Sequence, residues 1–449
     1  MSGNETIRRV ASWAAAAPGR NWPPEVLEAA RACLLDTLGV TLGAVGEPAG
    51  TAVRRVVESW QAAGEARIAL GGTTCAAGAA LVNGTFAHCL DYDDTHVGAT
   101  AHLSAPVWSA TLAVGQQTGA EGREMMAAFI AGFESGARLG NGIGGVANLR
   151  GWHSTGIFGA LGAAVAAGVL LRLDEDGIAR ALGAAATQAG GLTGSFGTHA
   201  KPFHAGKAAM NGVLAAELAA AGFEASTTLL ESGNGLAGAL VQDGAAGIGA
   251  VDFEDGWELL RNTVKPYAAC LLTHPVIDAA LALAPEAAGR QAQRVEVRVN
   301  PAAIRLAGKA DPQTPLEGKF SLAFCTALGL AGRPAVEGDF TAGTLADSGL
   351  RAMLSRVEPV AEPGRDTRSA ALEVEWLDGG SDRRETAMAR GNPGNPLSRA
   401  DLDAKFRSLA EPALGDAAEA LNALAWDFDA PGRAAELHSL LAAREARPS

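Results

Sequence analysis

Seven of the eight histidines fall in four short polar stretches of a chain otherwise rich in alanine, glycine and leucine. The stretches are "HCLDYDDTHVGATAH" (88 to 102), "RGWHSTG" (150 to 156), "GSFGTHAKPFHAGKAAMNG" (194 to 212) and "KPYAACLLTHP" (265 to 275). The first holds Asp91, Asp93 and Asp94 with His88, His96 and His102, and both tyrosines of the chain, Tyr92 and Tyr267, also lie in these stretches. Imidazoles exchange protons near neutral pH, carboxylates orient them, and lysines neutralise an anionic substrate, so this set of side chains points to proton transfer on an anion. No GxSxG elbow and no cysteine motif supports covalent hydrolysis. The aspartates and histidines of 88 to 102 are also donors a divalent ion takes, but the spacing is not DDxxD and no second acidic motif follows in the helical half, so no metal is expected. A plainer reading has Asp93 and Asp94 capping a helix that begins at "YDDT". "GNGIGG" (140 to 145) matches a dinucleotide loop but follows a helical stretch, where the motif needs a strand.

The elements that must carry these groups differ along the chain. From Thr6 to about Phe253 apolar residues recur at helical spacing; in "EVLEAARACLLDTLGVTLGAV", Val26, Ala29, Ala30, Cys33, Leu34 and Thr37 share a face. Abundant Ala and Gly with only 5% aromatics predicts helices packed at short range. After "KPYAACLLTHP" the pattern changes: "RVEVRVN" (294 to 300) alternates as a strand, and "ALEVEWLDGGSDRRETAMAR" (371 to 390) reads as a hairpin. "TPLEGKFSLAFCTALGLA" between them is helical, and "GNPGNPLSRADLDAKF" (391 to 406) is a breaker followed by a helix start, Ser398 and Asp401 spaced as a capping box. The expected class is mainly α: a helical domain from residues 1–264 and 396–449, with an α+β domain, 265–395, inserted.

The 449 residues, 48% of them hydrophobic, suffice for one large or two ordinary cores. A net charge of −13 argues against nucleic-acid or anionic-membrane partners and requires a local basic pocket for any anionic substrate. Five scattered cysteines read as free thiols in a reducing compartment, which places the protein in the cytoplasm. Arg8 and Arg9 before a short apolar run read as part of an ordinary first helix, and the apolar stretch from Gly156 to Leu171 is too short and too rich in Ala and Gly for a membrane span.

"NGTFAHCLDYDDTH", "GWHSTGIFGALGAA", "GTHAKPFHAGKAAMNG", "KPYAACLLTHPVIDAA", "EGKFSLAF" and "GNPGNPLSRADLDAKF", in this order and over nearly the whole chain, resemble the signatures of the MmgE/PrpD family. Its members dehydrate 2-methylcitrate, decarboxylate cis-aconitate or epimerise iminodisuccinate. The resemblance implies a homodimer, an inserted lid domain, a small polycarboxylate substrate, and no metal or organic cofactor. It gives catalytic parts to His102, His153, Lys201 and Asp91: Lys201 binds a carboxylate and stabilises charge, His102 and His153 move protons, and Asp91 orients a histidine. Thr95 would hydrogen-bond substrate, with His204, Lys207, Lys265 and His274 in supporting contacts. The leading reaction on this reading is dehydration of the 2-methylcitrate kind, with decarboxylation and epimerisation as alternatives, and a metal-dependent helical enzyme as the rival of a different class. The longer asparagine-containing acidic motif and extra segments of the dehydratase branch are not found, and two further stretches depart from the pattern. The loop of His102 reads "TAHLSAP", with Ala101 and Leu103 flanking the histidine, and Phe324 stands where a tyrosine is expected, which argues against decarboxylation of cis-aconitate.

Overall fold

A computed structural model describes residues 6 to 442. They contain twenty α-helices and little sheet, a mainly α chain that divides into two compact units, one from the described residues up to 263 and from 399 onward, the other from 264–398.

The larger unit is built on helices Pro24–Gly43, Ala76–Cys89, Ser104–Thr118, Gly122–Gly140, Ser154–Leu170 and Ala200–Ala220. Pro24 opens the first at a position where a missing N–H costs nothing, and a capping box of Glu121 and Glu124 opens the fourth. Every residue of Ser154–Leu170 is buried, so its apolar run is a core helix; no single described helix is long and apolar enough to cross a membrane. Close backbone approach is the rule. A Cβ on Gly84 would lie 2.9 Å from the Cα of Gly206, and one on Gly132 would lie 2.5 Å from the carbonyl oxygen of Gly162. Helix Ala76–Cys89 therefore meets Ala200–Ala220 backbone to backbone, as the Ala and Gly content predicts. The carboxy-terminal helix Arg399–Leu414 seats Phe406 and Leu409 on Gly39 and Gly43 of Pro24–Gly43, so both chain ends share one core.

The smaller unit carries a four-stranded sheet in the order Val357–Ala361, Ala292–Val299, Ala370–Trp376, Ser381–Thr386. The first pair is parallel and the others antiparallel, with Val295 opposite Val374 and Val297 opposite Leu372. Val295, Val297, Val299, Leu372 and Val374 bury one face against Val276, Ala280 and Leu283 of helix His274–Ala287 and against Leu322 and Leu330. The edge strand Ser381–Thr386 carries Arg383, Arg384 and Glu385, charges that discourage pairing with another sheet. Three details differ from the sequence reading. "YDDT" is irregular backbone, so Asp93 and Asp94 begin no helix. The segment 314–331 forms two helices, Pro315–Lys319 and Leu322–Leu330, because Ser321 leaves helical geometry and caps the second through its hydroxyl. Val357–Ala361 is a strand that alternation did not reveal, since its proline and half-exposed residues give no clear apolar face.

Candidate active site

Helix Ala76–Cys89 ends just before the polar stretch, and the chain turns sharply there: Asp91 has φ of +53°, a left-handed conformation uncommon for a residue with a side chain. This turn brings the following aspartates back beneath the last turn of the helix. Asp93 accepts from Nδ1 of His88 through both oxygens, at 3.0 and 2.8 Å, and its Oδ2 lies 3.2 Å from Nδ1 of His102. One carboxylate thus holds two imidazoles by the same ring nitrogen, leaving Nε2 of each for other work. Thr95 Oγ1 lies 3.4 Å from the same Nδ1 of His102, whose backbone N–H donates to Thr155 Oγ1 at 3.0 Å. The carboxylate that orients histidines is therefore Asp93, where the sequence reading gave that part to Asp91.

Asp91 instead accepts from Lys201, whose ammonium also sits 5.6 Å from the ring of Phe196. Phe196 stands edge-on to His153 at 4.9 Å between ring centroids. His153 stacks at 5.8 Å with His88, which lies 4.6 Å from His102. Nδ1 of His153 is 3.0 Å from Nδ1 of His204, so one ring donates and the other accepts: the pair shares a single proton at that contact. Gly191, with φ of +140°, lets the chain pass directly over both rings; a Cβ there would lie 3.1 Å from His204 and 3.4 Å from His153. Asp91, Thr95, His102, His153, Lys201 and His204 are thus joined in one cluster. Lys207, on the same helix as His204, donates to Asn211 instead. Lys265 and His274 belong to the smaller unit, where both are buried and His274 donates from Nε2 to the carbonyl of Ala269 at 3.2 Å.

Burial governs the charge states. It pushes His88 down to about 4 despite the pull of Asp93, and drives His153 well below the usual imidazole range with help from His88 and Lys201. Nε2 of His88 is buried without a hydrogen-bond partner among the described residues, which fits a neutral ring. Burial opposes ionisation of Asp93, but His88 and His102 outweigh it and hold that carboxyl well below its usual range. Asp94, next along the chain, is pushed up to about 7 by burial and by Asp36, while Ser104 donates to it at 2.5 Å. Neighbouring carboxylates are thereby split, one an anion and one an acid near neutrality. Beneath them Lys405 reaches Asp36 at 2.5 Å and donates to the carbonyl of Tyr92 at 2.7 Å.

His88, Asp93 and His102 place ligand atoms within 4.8 Å of one another, a donor set that suits a divalent transition metal by chemistry and spacing. The same atoms already satisfy each other through hydrogen bonds, so the set serves equally as an acid–base network. Sequence reasoning named His88 and Asp93 in the polar stretch without assigning either to the site, and it missed Phe196. A histidine at the end of a helix with aspartates a few residues on was the available signal for Asp93; nothing in "GSFGTH" singled out its aromatic ring.

Residues 8–248 match the family model described as the MmgE/PrpD N-terminal domain, and residues 267–429 match the MmgE/PrpD C-terminal domain. The cis-aconitate decarboxylase of Aspergillus terreus is 27% identical over 438 residues, covering 89% of this chain and 88% of the relative. The proteins of that name from Mus musculus and Homo sapiens are each 28% identical, over 352 and 363 residues, covering 75% and 76% of this chain and 72% and 74% of the relatives.

Proposed function

Because the chain belongs to the MmgE/PrpD family, we propose that it is a lyase that breaks a bond beside a carboxylate of a small di- or tricarboxylate by general acid–base catalysis, without a metal or organic cofactor. The leading reaction is decarboxylation of an unsaturated tricarboxylate of the cis-aconitate kind, the activity for which the relatives covering up to nine-tenths of the chain are named. The observation that carries the reading is the Lys201–Asp91 pair beside His102 and His153: a buried cation next to two imidazoles, one of them held neutral.

When carbon dioxide leaves such a substrate, the electron pair of the broken C–C bond moves into the unsaturated system, and a carbon there takes up one proton. Negative charge grows on the remaining carboxylates during that step. Lys201 is placed to stabilise it, in a site where burial makes such an interaction stronger than in water. His102, held at Nδ1 by Asp93, is the group that delivers the proton, and His153, neutral and sharing a proton with His204, is the group that accepts one. Lys265 and His274 of the smaller unit enter as proposed contacts to substrate carboxylates, the smaller unit as the lid, and the homodimer as the assembly.

Dehydration of a 2-methylcitrate-like substrate is the second reading, favoured by the neutral His153: loss of water also removes a proton from the carbon beside the carboxylate, and an uncharged imidazole can accept it. Phe324 carries no weight against decarboxylation. Its side chain is 1% exposed and packs by Phe340 and Gly318 as a core residue of the smaller unit.

The test is incubation of the purified protein with cis-aconitate, 2-methylcitrate, citrate and iminodisuccinate in deuterium oxide, with and without EDTA, followed by proton NMR. Expected are itaconate signals from cis-aconitate that survive EDTA and fall about a hundredfold in rate in Lys201→Ala, the scale for losing one preorganised donor. Turnover of 2-methylcitrate alone would select dehydration, and neither turnover nor exchange with any substrate would end the proposal.

A further inference from the structure

We propose that His96 is a positioning residue whose imidazole clasps the loop carrying Thr95 and His102 onto Glu258. This rests on the assignment of His102 to proton transfer. The loop from Thr95 to His102 has two fixed ends. Thr95 exchanges backbone hydrogen bonds with Thr263, at 2.8 and 3.0 Å, and His96 exchanges them with Ala101, at 2.8 and 3.2 Å. Between these bridges the chain reverses through Val97 to Thr100, with Thr100 at φ of +54° and its N–H on the carbonyl of Val97 at 3.1 Å. A left-handed threonine is strained and persists only where its surroundings enforce it.

The imidazole of His96 supplies that enforcement. Its Nδ1 accepts from the backbone N–H of Ala99 at 3.1 Å, so Nδ1 carries no proton and the proton sits on Nε2, which donates to Glu258 Oε2 at 2.9 Å. Glu258 is itself fixed. Its other oxygen accepts from Arg261 at 2.8 Å, and its backbone N–H and that of Leu259 donate to Glu134 at 3.1 and 2.8 Å. Arg138 in turn holds Glu134 at 3.1 Å. His96 thus connects a strained turn on one side to an anchored carboxylate on the other, and both its nitrogens are used. It is left with no part in proton transfer or ligation, although its type and position in "DYDDTH" suggest either.

Losing the clasp should let the loop shift and misplace His102, and a displacement of about 1 Å costs on the order of a hundredfold in rate. His96→Ala and Glu258→Leu are expected to lower kcat tenfold to a hundredfold with KM changed less than about threefold. His96→Gln, which keeps a donor for Glu258, and Glu258→Gln, which keeps an acceptor for His96, are expected to restore most of kcat. Two readouts stand apart from turnover. Amide exchange across residues 95 to 103 should quicken in His96→Ala while helix Ser104–Thr118 stays protected. The nitrogen-15 shifts of the His102 ring should move from a fixed Nδ1–H tautomer towards an averaged one, and return in His96→Gln. Unchanged loop exchange and unchanged His102 shifts in His96→Ala would overturn the clasp, whatever the enzyme proves to catalyse. A loosened loop with undiminished kcat would overturn its positioning role. If His96→Ala does not fold, Glu258→Leu carries the same measurements.

Discussion

The Asp93 carboxylate lies 3.2 Å from Nδ1 of His102 while also accepting from Nδ1 of His88. Asparagine in its place would present one acceptor oxygen and an NH2 group, and the NH2 cannot receive an Nδ1–H. At least one ring would then turn or change tautomer, putting its proton on the wrong nitrogen. Asp93→Asn should lower kcat by about a hundredfold or more, within the range that a misplaced acid or base costs. The pH profile of kcat/KM should depart from that of the wild type. A variant with the wild-type profile would take Asp93 out of the network.

The backbone crossing at Gly84 and Gly206 sets the distance between the helix that bears His88 and the helix that bears Lys201 and His204. A Cβ at Gly206 would run into the carbonyl of Leu81 and the hydroxyl of Thr85. Gly206→Ala must therefore push the two helices apart, with the cost of overpacking, about 1 to 3 kcal/mol. Urea unfolding would measure it, with Gly247→Ala, where the added methyl meets nothing within 4 Å, as the control expected to leave stability unchanged. Activity should fall in Gly206→Ala as well, because the crossing lies one turn from His88 and two residues from His204.

Acid should destabilise the protein through its buried neutral imidazoles. His88 is held at about 4 in the folded chain against 6.5 in an exposed histidine, and His153 is lowered in the same direction. Between those values the unfolded chain binds protons that the folded chain refuses, so the contribution is present above the unfolded value and is lost as pH falls from about 6.5 towards 4. For His88 alone the loss is on the order of 3 kcal/mol. His88→Gln should flatten the decline of melting temperature over that interval; a slope equal to that of the wild type would contradict the neutral assignment.

Much of the candidate site was legible because its members are rare residue types gathered into short stretches, and because family signatures surround them. His102, His153 and Lys201 stand in such stretches, and helix packing followed from the alanine and glycine content. Less legible was anything that depends on where one backbone turn points a side chain. Asp91, Asp93 and Asp94 are near neighbours in sequence, yet one meets a lysine, one meets two imidazoles and one meets a serine. That division follows from the left-handed turn at Asp91, which no residue type announces. Val357–Ala361 escaped for a related reason: it owes its strand to pairing with Ala292–Val299, a tertiary partner, rather than to its own pattern.

The split between the two adjacent carboxyls gives a test whose sign is fixed. Asp94 is pushed up to about 7 by burial first and then by the charge of Asp36. In the unfolded chain it ionises near 3.8, so between 3.8 and 7 the folded chain holds a proton that the unfolded chain releases. The contribution of Asp94 to stability is therefore complete below about 3.8 and is lost as pH rises towards 7, opposite to that of His88. Asn at this position cannot ionise, and it can still accept from the hydroxyl of Ser104. The melting temperature of Asp94→Asn relative to wild type should accordingly climb as pH is raised from 5 to 8, with the difference smallest at the acid end. A difference that stays level over that interval would mean that Asp94 is ionised throughout, and that the buried group of Asp36, Asp93 and Asp94 carries more negative charge than Lys405 and the imidazoles can balance.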